Sequence, residues 1–323
     1  MNVIEFFRII QEDIHSTVIA TADKNNLPVT CVIDIMDYDE DSLYFLTARG
    51  KNFYDRLKEK EYLSLSIMTQ EQRLMFLIKY LLNESERYSD IFIPNDTLEQ
   101  KTLFRSLVNV REPKEVSEEF IKIQDEYLRH EIEAKGITNC ESLPFAEEKI
   151  SLWQGDITTL KCGAIVNAAN SAMLGCFVPC HKCIDNAIHT FSGVQLRLEC
   201  AGIMQKQGFA EQTGRAKITK AYNLPCNYIL HTVGPIVCGT LTEKHSRLLA
   251  ACYDSCFDIA EQNGIKSIAF PCISTGEFHF PNDKAAEIAI DTVRCRLKNS
   301  TVERVIFNVF KDDDRKIYER LLG

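Results

Sequence analysis

Ala164-Ile-Val-Asn-Ala-Ala-Asn-Ser171 decides the fold. It opens as a nearly unbroken apolar run and turns polar at once. A short run of that kind is a strand covered on both faces, as in a parallel sheet. Asn167 and Asn170 follow where the strand ends, and α/β sheets bind ligands beyond the carboxyl ends of their strands. On either side of this stretch, residues 148–323 alternate strand and helix patterns. Strands are expected at 149–153, 164–168, 216–221, 228–233, 267–270 and 304–309. Helices are expected from 183 towards 205 and at 245–262, 283–297 and 312–322. Asn263-Gly264 is a good helix stop. Such alternation implies βαβ units and a largely parallel sheet with helices on both faces.

The rest of the chain has a different texture. Residues 1–69 read as β-rich, with strands at 16–21, 29–36, 42–47 and 62–68 and a short helix at 51–60. Residues 70–147 change to helical spacing. Leu74, Leu77, Ile78, Leu81 and Leu82 form one stripe, and Phe120, Ile121, Ile123, Tyr127 and Leu128 form another. The expected organisation is a β segment at 1–69, a helical extension at 70–147 and an α/β domain at 148–323.

Composition bounds the function. With 323 residues and 45% hydrophobic residues, the chain can build more than one core. Its net charge is −9, and no block of Lys and Arg supplies the basic face that a nucleic-acid polymer requires. No apolar stretch approaches the roughly 18 residues of a membrane span. Glu5 and Arg8 interrupt the first apolar run, so no secretory signal is expected and the chain should stay in a reducing cytoplasm. Its 13 cysteines are an odd number, which excludes complete internal pairing. They are expected to be thiols, core fillers or metal ligands.

Three stretches carry chemistry. Gly175-Cys-Phe-Val-Pro-Cys-His-Lys-Cys-Ile-Asp-Asn-Ala-Ile-His189 holds the thiolate and imidazole donors that Zn²⁺ prefers. Cys176 and Cys180 both lie near His181 and Cys183, so two ligand sets are open. Single cysteines are more often small core residues, but three with a histidine in so short a loop favour a metal. Asp185 and His189 are four apart and share a helix face just beyond it. The second stretch, Cys272-Ile-Ser-Thr-Gly-Glu-Phe-His-Phe-Pro281, follows a strand and precedes a helix. Its backbone N–H groups could meet a pyrophosphate, with Phe278 and Phe280 covering a ribose or simply packing. The third is Gln154-Gly-Asp-Ile157, where Asp156 could accept from an exocyclic amine.

Taken together, Gln154-Gly-Asp-Ile-Thr, Ile165-Val-Asn-Ala-Ala-Asn, His231-Thr-Val-Gly-Pro and Ile273-Ser-Thr-Gly resemble a macrodomain, the ADP-ribose-binding α/β/α sandwich. The Cys/His loop followed by Ile184-Asp-Asn-Ala-Ile-His189 resembles the zinc-dependent subclass of microbial protein ADP-ribosyl hydrolases. Leu103-Phe-Arg-Ser-Leu-Val-Asn-Val-Arg-Glu-Pro113 and Phe120-Ile-Lys-Ile-Gln-Asp-Glu-Tyr127 are similar to the N-terminal extension of that subclass. The resemblance covers about residues 71–323 and implies removal of mono-ADP-ribose from a modified protein, most simply from an Asp or Glu ester. It implies Cys176, His181 and Cys183 as zinc ligands, with Cys180 an extra thiol. Asn170 falls at the distal ribose, Asp185 beside it as the carboxylate that orients or deprotonates water, and Asp156 at the adenine amine. Ile157 and Asn167 line the ADP-ribose site, and Ser274, Thr275, Gly276, Glu277 and Phe278 form the phosphate loop. His279 stands where many macrodomains have glycine.

Thr17-Val-Ile-Ala-Thr-Ala, Leu27-Pro-Val-Thr-Cys-Val-Ile and Leu43-Tyr-Phe-Leu-Thr-Ala-Arg-Gly-Lys-Asn-Phe-Tyr-Asp-Arg-Leu-Lys58 resemble the opening half of a flavin-binding split barrel of the pyridoxamine-phosphate-oxidase type. That resemblance implies an FMN phosphate near Thr47 and Lys51. After Met68 the strands that would close the barrel are missing, so a remnant without FMN is the expectation. Its open edges call for cover by the helical zone or by a second copy of the chain. Two other functions stay in view: a non-catalytic ADP-ribose reader with structural zinc, and a flavin or thiol redox protein that merely recognises a nucleotide. The remaining cysteines, including Cys162, Cys226, Cys252, Cys256 and Cys295, are expected to be core thiols.

Overall fold

A computed structural model describes residues 3–14, 16–23, 27–40, 42–47, 52–59, 64–66 and 68–323. The chain divides into two compact units, Met1–Lys79 and Tyr80–Gly323. The first contains α1 (Val3–Arg8), β1 (Ser16–Ala22), β2 (Pro28–Tyr38), β3 (Leu43–Phe45), α2 (Asn52–Glu59) and β4 (Ser64–Ser66). α3 (Gln70–Asn83) runs across the division. The sheet order is β3-β2-β1-β4 and every pairing is antiparallel. Ile10, Ile19, Ile33 and Ile35 make its small core. The third strand is shorter than its sequence suggests, because only Leu43–Phe45 pair with β2. Thr47 is half-buried on the segment after β3, and Lys51 lies outside the described residues.

The second unit begins with helices α4 (Thr97–Val110) and α5 (Glu118–Lys135). Asp96 and Ser117 cap them by accepting from the Glu99 and Phe120 amides, as short oxygen-bearing side chains do. Then follow β5 (Thr138–Asn139), β6 (Ile150–Gln154), β7 (Leu160–Lys161), β8 (Ala164–Ala169), α6 (Ile184–Ser192), α7 (Val194–Gln207), β9 (Ala216–Lys220), β10 (Tyr228–Val233), α8 (Glu243–Gln262), β11 (Ser267–Phe270), α9 (Asn282–Leu297), β12 (Arg304–Val309) and α10 (Asp312–Leu322). β5 and β7 form a small parallel pair. The main sheet runs β6-β12-β11-β8-β10-β9. It is parallel except for the edge strand β9.

Period-2 alternation sorts the sheet's side chains onto its two faces. Val166, Leu230, Phe270, Val305 and Phe307 join one core with residues of α8, α9 and α10. Ile165, Ile229, Ala269 and Ile306 join the other with Ile188 of α6 and Leu196 of α7. Phe257, Phe270 and Phe307 are fully buried, and truncating any of them to Ala would cost about 3–5 kcal/mol. The stretch from residue 183 to 205 is not one helix. Gly193, at φ 97°, ends α6 and starts α7, a backbone conformation that glycine tolerates. Cys162, Cys226, Cys252 and Cys256 are buried, but Cys295 is exposed. Val293 and Leu297 carry the apolar stripe of α9, and a residue midway between them on a helix faces away. Among the described residues, no helix is long and apolar enough to cross a membrane.

Candidate active site

β8 sits between β11 and β10, so its carboxyl end opens into the middle of the sheet's upper edge. Parallel pairing sets Asn167 beside His231 on β10. The Asn167 Nδ2 donates to Asp185 Oδ1 at 2.8 Å and meets His231 Nδ1 at 3.1 Å. An amide nitrogen only donates, so His231 Nδ1 accepts and its Nε2 carries the proton. That proton goes to Thr219 Oγ1 at 2.8 Å. Thr219, His231 and Asn167 thus form a buried chain that ends on Asp185.

Asp185 lies in the first turn of α6 and is 4% exposed. Burial raises its pKa to about 6, against the Asn167 hydrogen bond and the Arg197 charge, which pull the other way. Its Oδ2 receives a long hydrogen bond from Asn170 Nδ2 at 3.4 Å. The same amide donates to the Gly175 carbonyl at 3.0 Å. His189 Nε2 is 3.5 Å from Asp185 Oδ1, as the spacing of four predicts. Burial first, then the His231 and Arg197 charges, hold His189 well below the usual imidazole range, so its ring is neutral. Asn170 and Asp185 therefore meet at the mouth of β8.

The Cys/His loop enters the same corner. Gly175, at φ 81°, lies against the His189 ring, and a Cβ there would come within 2.8 Å of it. Beyond it, Asn186 Nδ2 donates to the Val178 carbonyl at 3.0 Å. Arg105 of α4 donates to Asn186 Oδ1 at 2.8 Å and to the His181 carbonyl at 3.0 Å. Asn109 of α4 accepts from the Cys180 amide at 2.9 Å. Cys180 turns its thiol to Ser106 Oγ at 3.2 Å and stays out of the sulfur cluster. Cys176, His181 and Cys183 bring one donor atom each within 4.8 Å of one another. His181 Nδ1 is buried without a hydrogen-bond partner. Cys183 caps α6 by accepting from the Asn186 amide at 3.4 Å, and burial pushes its thiol up to about 12. A coordinated cation reverses that push, because a ligating thiol gives up its proton. Two sulfurs and one imidazole, with a ring nitrogen left unsatisfied, fit zinc with one position open.

His189, Cys200 and His231 also bring their donor atoms within 4.8 Å, fully buried. Here the imidazole of His231 is already used at both nitrogens, so this second group lacks a third free ligand.

The loop expected to meet the diphosphate follows β11. Ser274 and His279 have φ 66° and 55°, in the left-handed region that costs a side-chain-bearing residue roughly 1–2 kcal/mol. That conformation explains why glycine suits position 279. The turn is pinned by Phe280 N to the Ser274 carbonyl and His279 N to the Gly276 carbonyl, both at 3.0 Å, and by Val237 N to the Phe278 carbonyl at 2.9 Å. Thr275 Oγ1 donates to the Cys272 carbonyl at 3.0 Å, and Gly276 has open space where a Cβ would stand. Ser274 Oγ is buried and unpartnered. A Cβ on Gly234 would come 2.0 Å from it, so position 234 has room for nothing larger than glycine. Phe280 is core, whereas Phe278 is half-buried on the loop. Asp156 is already engaged. Its Oδ1 accepts from Thr158 N at 3.0 Å and its Oδ2 pairs with Lys135 at 2.9 Å, which leaves Oδ2 a further lone pair for an adenine amine. The adjacent Ile157 is buried.

Arg105, Asn109, Asn186, Arg197 and His231 are functional neighbours that no motif assigned. Arg197 of α7 donates to the Leu174 carbonyl at 2.7 Å and the Val108 carbonyl at 2.9 Å, fixing the start of the Cys/His loop against α4. Arg105, Asn109, Asn186 and His231 lie inside quoted motifs, which made them visible but not their partners. Arg105 and Asn109 act across some 70–80 residues of sequence, and nothing local signals that.

The Macro domain family matches residues 166–289. A protein-ADP-ribose hydrolase of Treponema medium is 55% identical over 79% of this chain and 100% of its own length. One from Staphylococcus aureus strain MSSA476 is 46% identical over 79% of this chain and 96% of its own. The Trypanosoma brucei macrodomain in complex with ADP-ribose is 30% identical, with a TM-score of 0.53 over 68% of this chain and 95% of that one.

Proposed function

The chain belongs to the macrodomain protein-ADP-ribose hydrolases, and from that premise we propose that it frees mono-ADP-ribose from ester-linked Asp or Glu side chains of a modified protein, with zinc held by Cys176, His181 and Cys183. One observation carries the reading. The donor cluster with its unpartnered His181 nitrogen caps the very helix whose first turn presents Asp185. When bound, zinc supplies Lewis acidity at the open end of the cleft.

The protein's own residues do the remaining work. ADP-ribose lies across the strand ends, its diphosphate against the backbone of Ser274–Phe278, where N–H groups favour anions. The Asn170 amide holds the distal ribose for attack. Asp185 orients the attacking water and takes its proton. A carboxylate whose pKa rises to about 6 is a better base near neutral pH than an ordinary one. The Thr219, His231 and Asn167 chain keeps that carboxylate turned towards the cleft. The buried thiols of Cys162, Cys226, Cys252 and Cys256 suit a reducing cytoplasm. The N-terminal sheet enters no step.

The test is release of ADP-ribose from Glu-, Ser- and Arg-linked proteins, with and without a strong zinc chelator. Release from the Glu-linked substrate that the chelator abolishes supports the whole reading. Release indifferent to chelation leaves the hydrolysis and removes the zinc. Binding of free ADP-ribose without any release would make the protein a reader.

A further inference from the structure

Glu277 raises a chemical problem that the hydrolysis does not answer. It stands in the middle of the phosphate loop, a carboxylate where the ligand brings two negative phosphates. Like charges disfavour one another, so what faces that carboxylate matters. Among the described residues the group recorded against Glu277 is His181, whose Nε2 lies 3.6 Å from its Oε1. The two belong to different loops. The backbone of His181 is held by Arg105 from α4, and the turn around Glu277 is pinned by its own backbone bonds and by Val237. The two backbones are therefore placed by the fold, while the Glu277 side chain itself is 71% exposed. With Nε2 facing the carboxylate, the other ring nitrogen, Nδ1, is the one left buried and unpartnered.

We propose that Glu277 is a positioning residue for the metal: its carboxylate, 3.6 Å from His181 Nε2 and so just beyond hydrogen-bond length here, closes to accept from Nε2–H when the ion binds, presenting Nδ1 to it beside the two cysteine sulfurs. A carboxylate on the far nitrogen of a ligating imidazole fixes its tautomer and raises its basicity. Here that carboxylate sits on the diphosphate loop, so ligand and metal report to each other. Ordering of the loop by ADP-ribose tightens zinc, and by linkage zinc tightens ADP-ribose by the same factor. In return the metal side neutralises a charge that the diphosphate would otherwise face.

The inference rests on the zinc reading, and zinc affinity separates the two. The full chain is titrated with Zn²⁺ against a chromogenic chelator, with and without ADP-ribose, as wild type, Glu277→Ala and Glu277→Gln. Glu277→Ala should weaken zinc by about 10–100-fold and lose most of the tightening by ADP-ribose. Glu277→Gln keeps an oxygen acceptor without the charge and should fall between the two. Wild-type zinc binding with both variants within about twofold would overturn the role of Glu277 alone. A wild type that retains no zinc would overturn the zinc reading, and this inference with it. Circular dichroism of each variant guards against misfolding, which the exposure of this side chain makes a minor risk.

Discussion

Two clusters of imidazole and sulfur lie within one corner of the molecule. The outer one, Cys176, His181 and Cys183, is half-exposed; the inner one, His189, Cys200 and His231, is fully buried. In both, the donor atoms come within the same 4.8 Å. What separates them is His231, since His181 and His189 both keep buried nitrogens without a hydrogen-bond partner. His181 keeps a buried nitrogen free, while His231 spends one nitrogen on Asn167 and the other on Thr219. The same residue types therefore suit a ligand set in one place and a scaffold for Asp185 in the other. Proximity alone does not make a metal site; a free lone pair does.

The strongest way to break that comparison is at the residue both clusters serve. Asp185→Asn should lower ADP-ribose release by about 10²–10⁴-fold, the usual share of a general base, with ADP-ribose binding measured calorimetrically retained. If release survives, neither cluster flanks the reacting water. Next comes metal content. Cys183→Ala should strip zinc from the purified protein, whereas Cys200→Ala should keep it and lose about 1 kcal/mol of stability. Equal metal loss in both would erase the distinction between the clusters.

Acid sharpens the contrast further. Burial lowers the His231 pKa to about 3, against about 6.5 in an unfolded chain. The unfolded state therefore takes up the proton first. The contribution of His231 is complete above about pH 6.5 and is lost as pH falls, by about 1.4 kcal/mol per pH unit. His189 is shifted in the same direction. Asp185, raised to about 6, works the other way below that pH and offsets one imidazole. Urea midpoints of metal-free protein should fall from about pH 6.5 downward, and His231→Asn should flatten that fall. A milder effect on turnover is expected of Thr219→Val. It leaves His231 Nε2–H without its acceptor, at about 1–3 kcal/mol, and should reduce kcat more than KM as Asp185 loosens.

Signals that live in a short window were legible in the sequence. The run at Ala164–Ala169 is a buried strand because both its faces are apolar, and the helix over 245–262 stops at Asn263 and Gly264 as its residues require. The crowding of Cys176, His181 and Cys183 into one loop was equally plain. Features that depend on a partner elsewhere were not. The exposure of Cys295 follows from where Val293 and Leu297 point, and the break at Gly193 from a backbone angle that a helical run of side chains conceals. The ion pair of Asp156 needed Lys135, a residue of α5. Arg105 lies in a stretch the resemblance picks out, but its partners show only once α4 is laid beside the Cys/His loop.

That last contact determines where the molecule can be cut. Arg105 and Asn109 shape the backbone around His181 and Cys180 from α4, and Arg197 ties α7 to the Val108 carbonyl of the same helix. A chain shortened to begin at about residue 148 would still carry all three proposed ligands, Asp185 and the phosphate loop. It would lose the donors that hold the loop's carbonyls and amides in place, and the tolerance of a truncation follows the hydrogen bonding it severs. The smallest piece able to keep this site in shape begins ahead of Thr97, so the helices before the sheet are part of the catalytic frame.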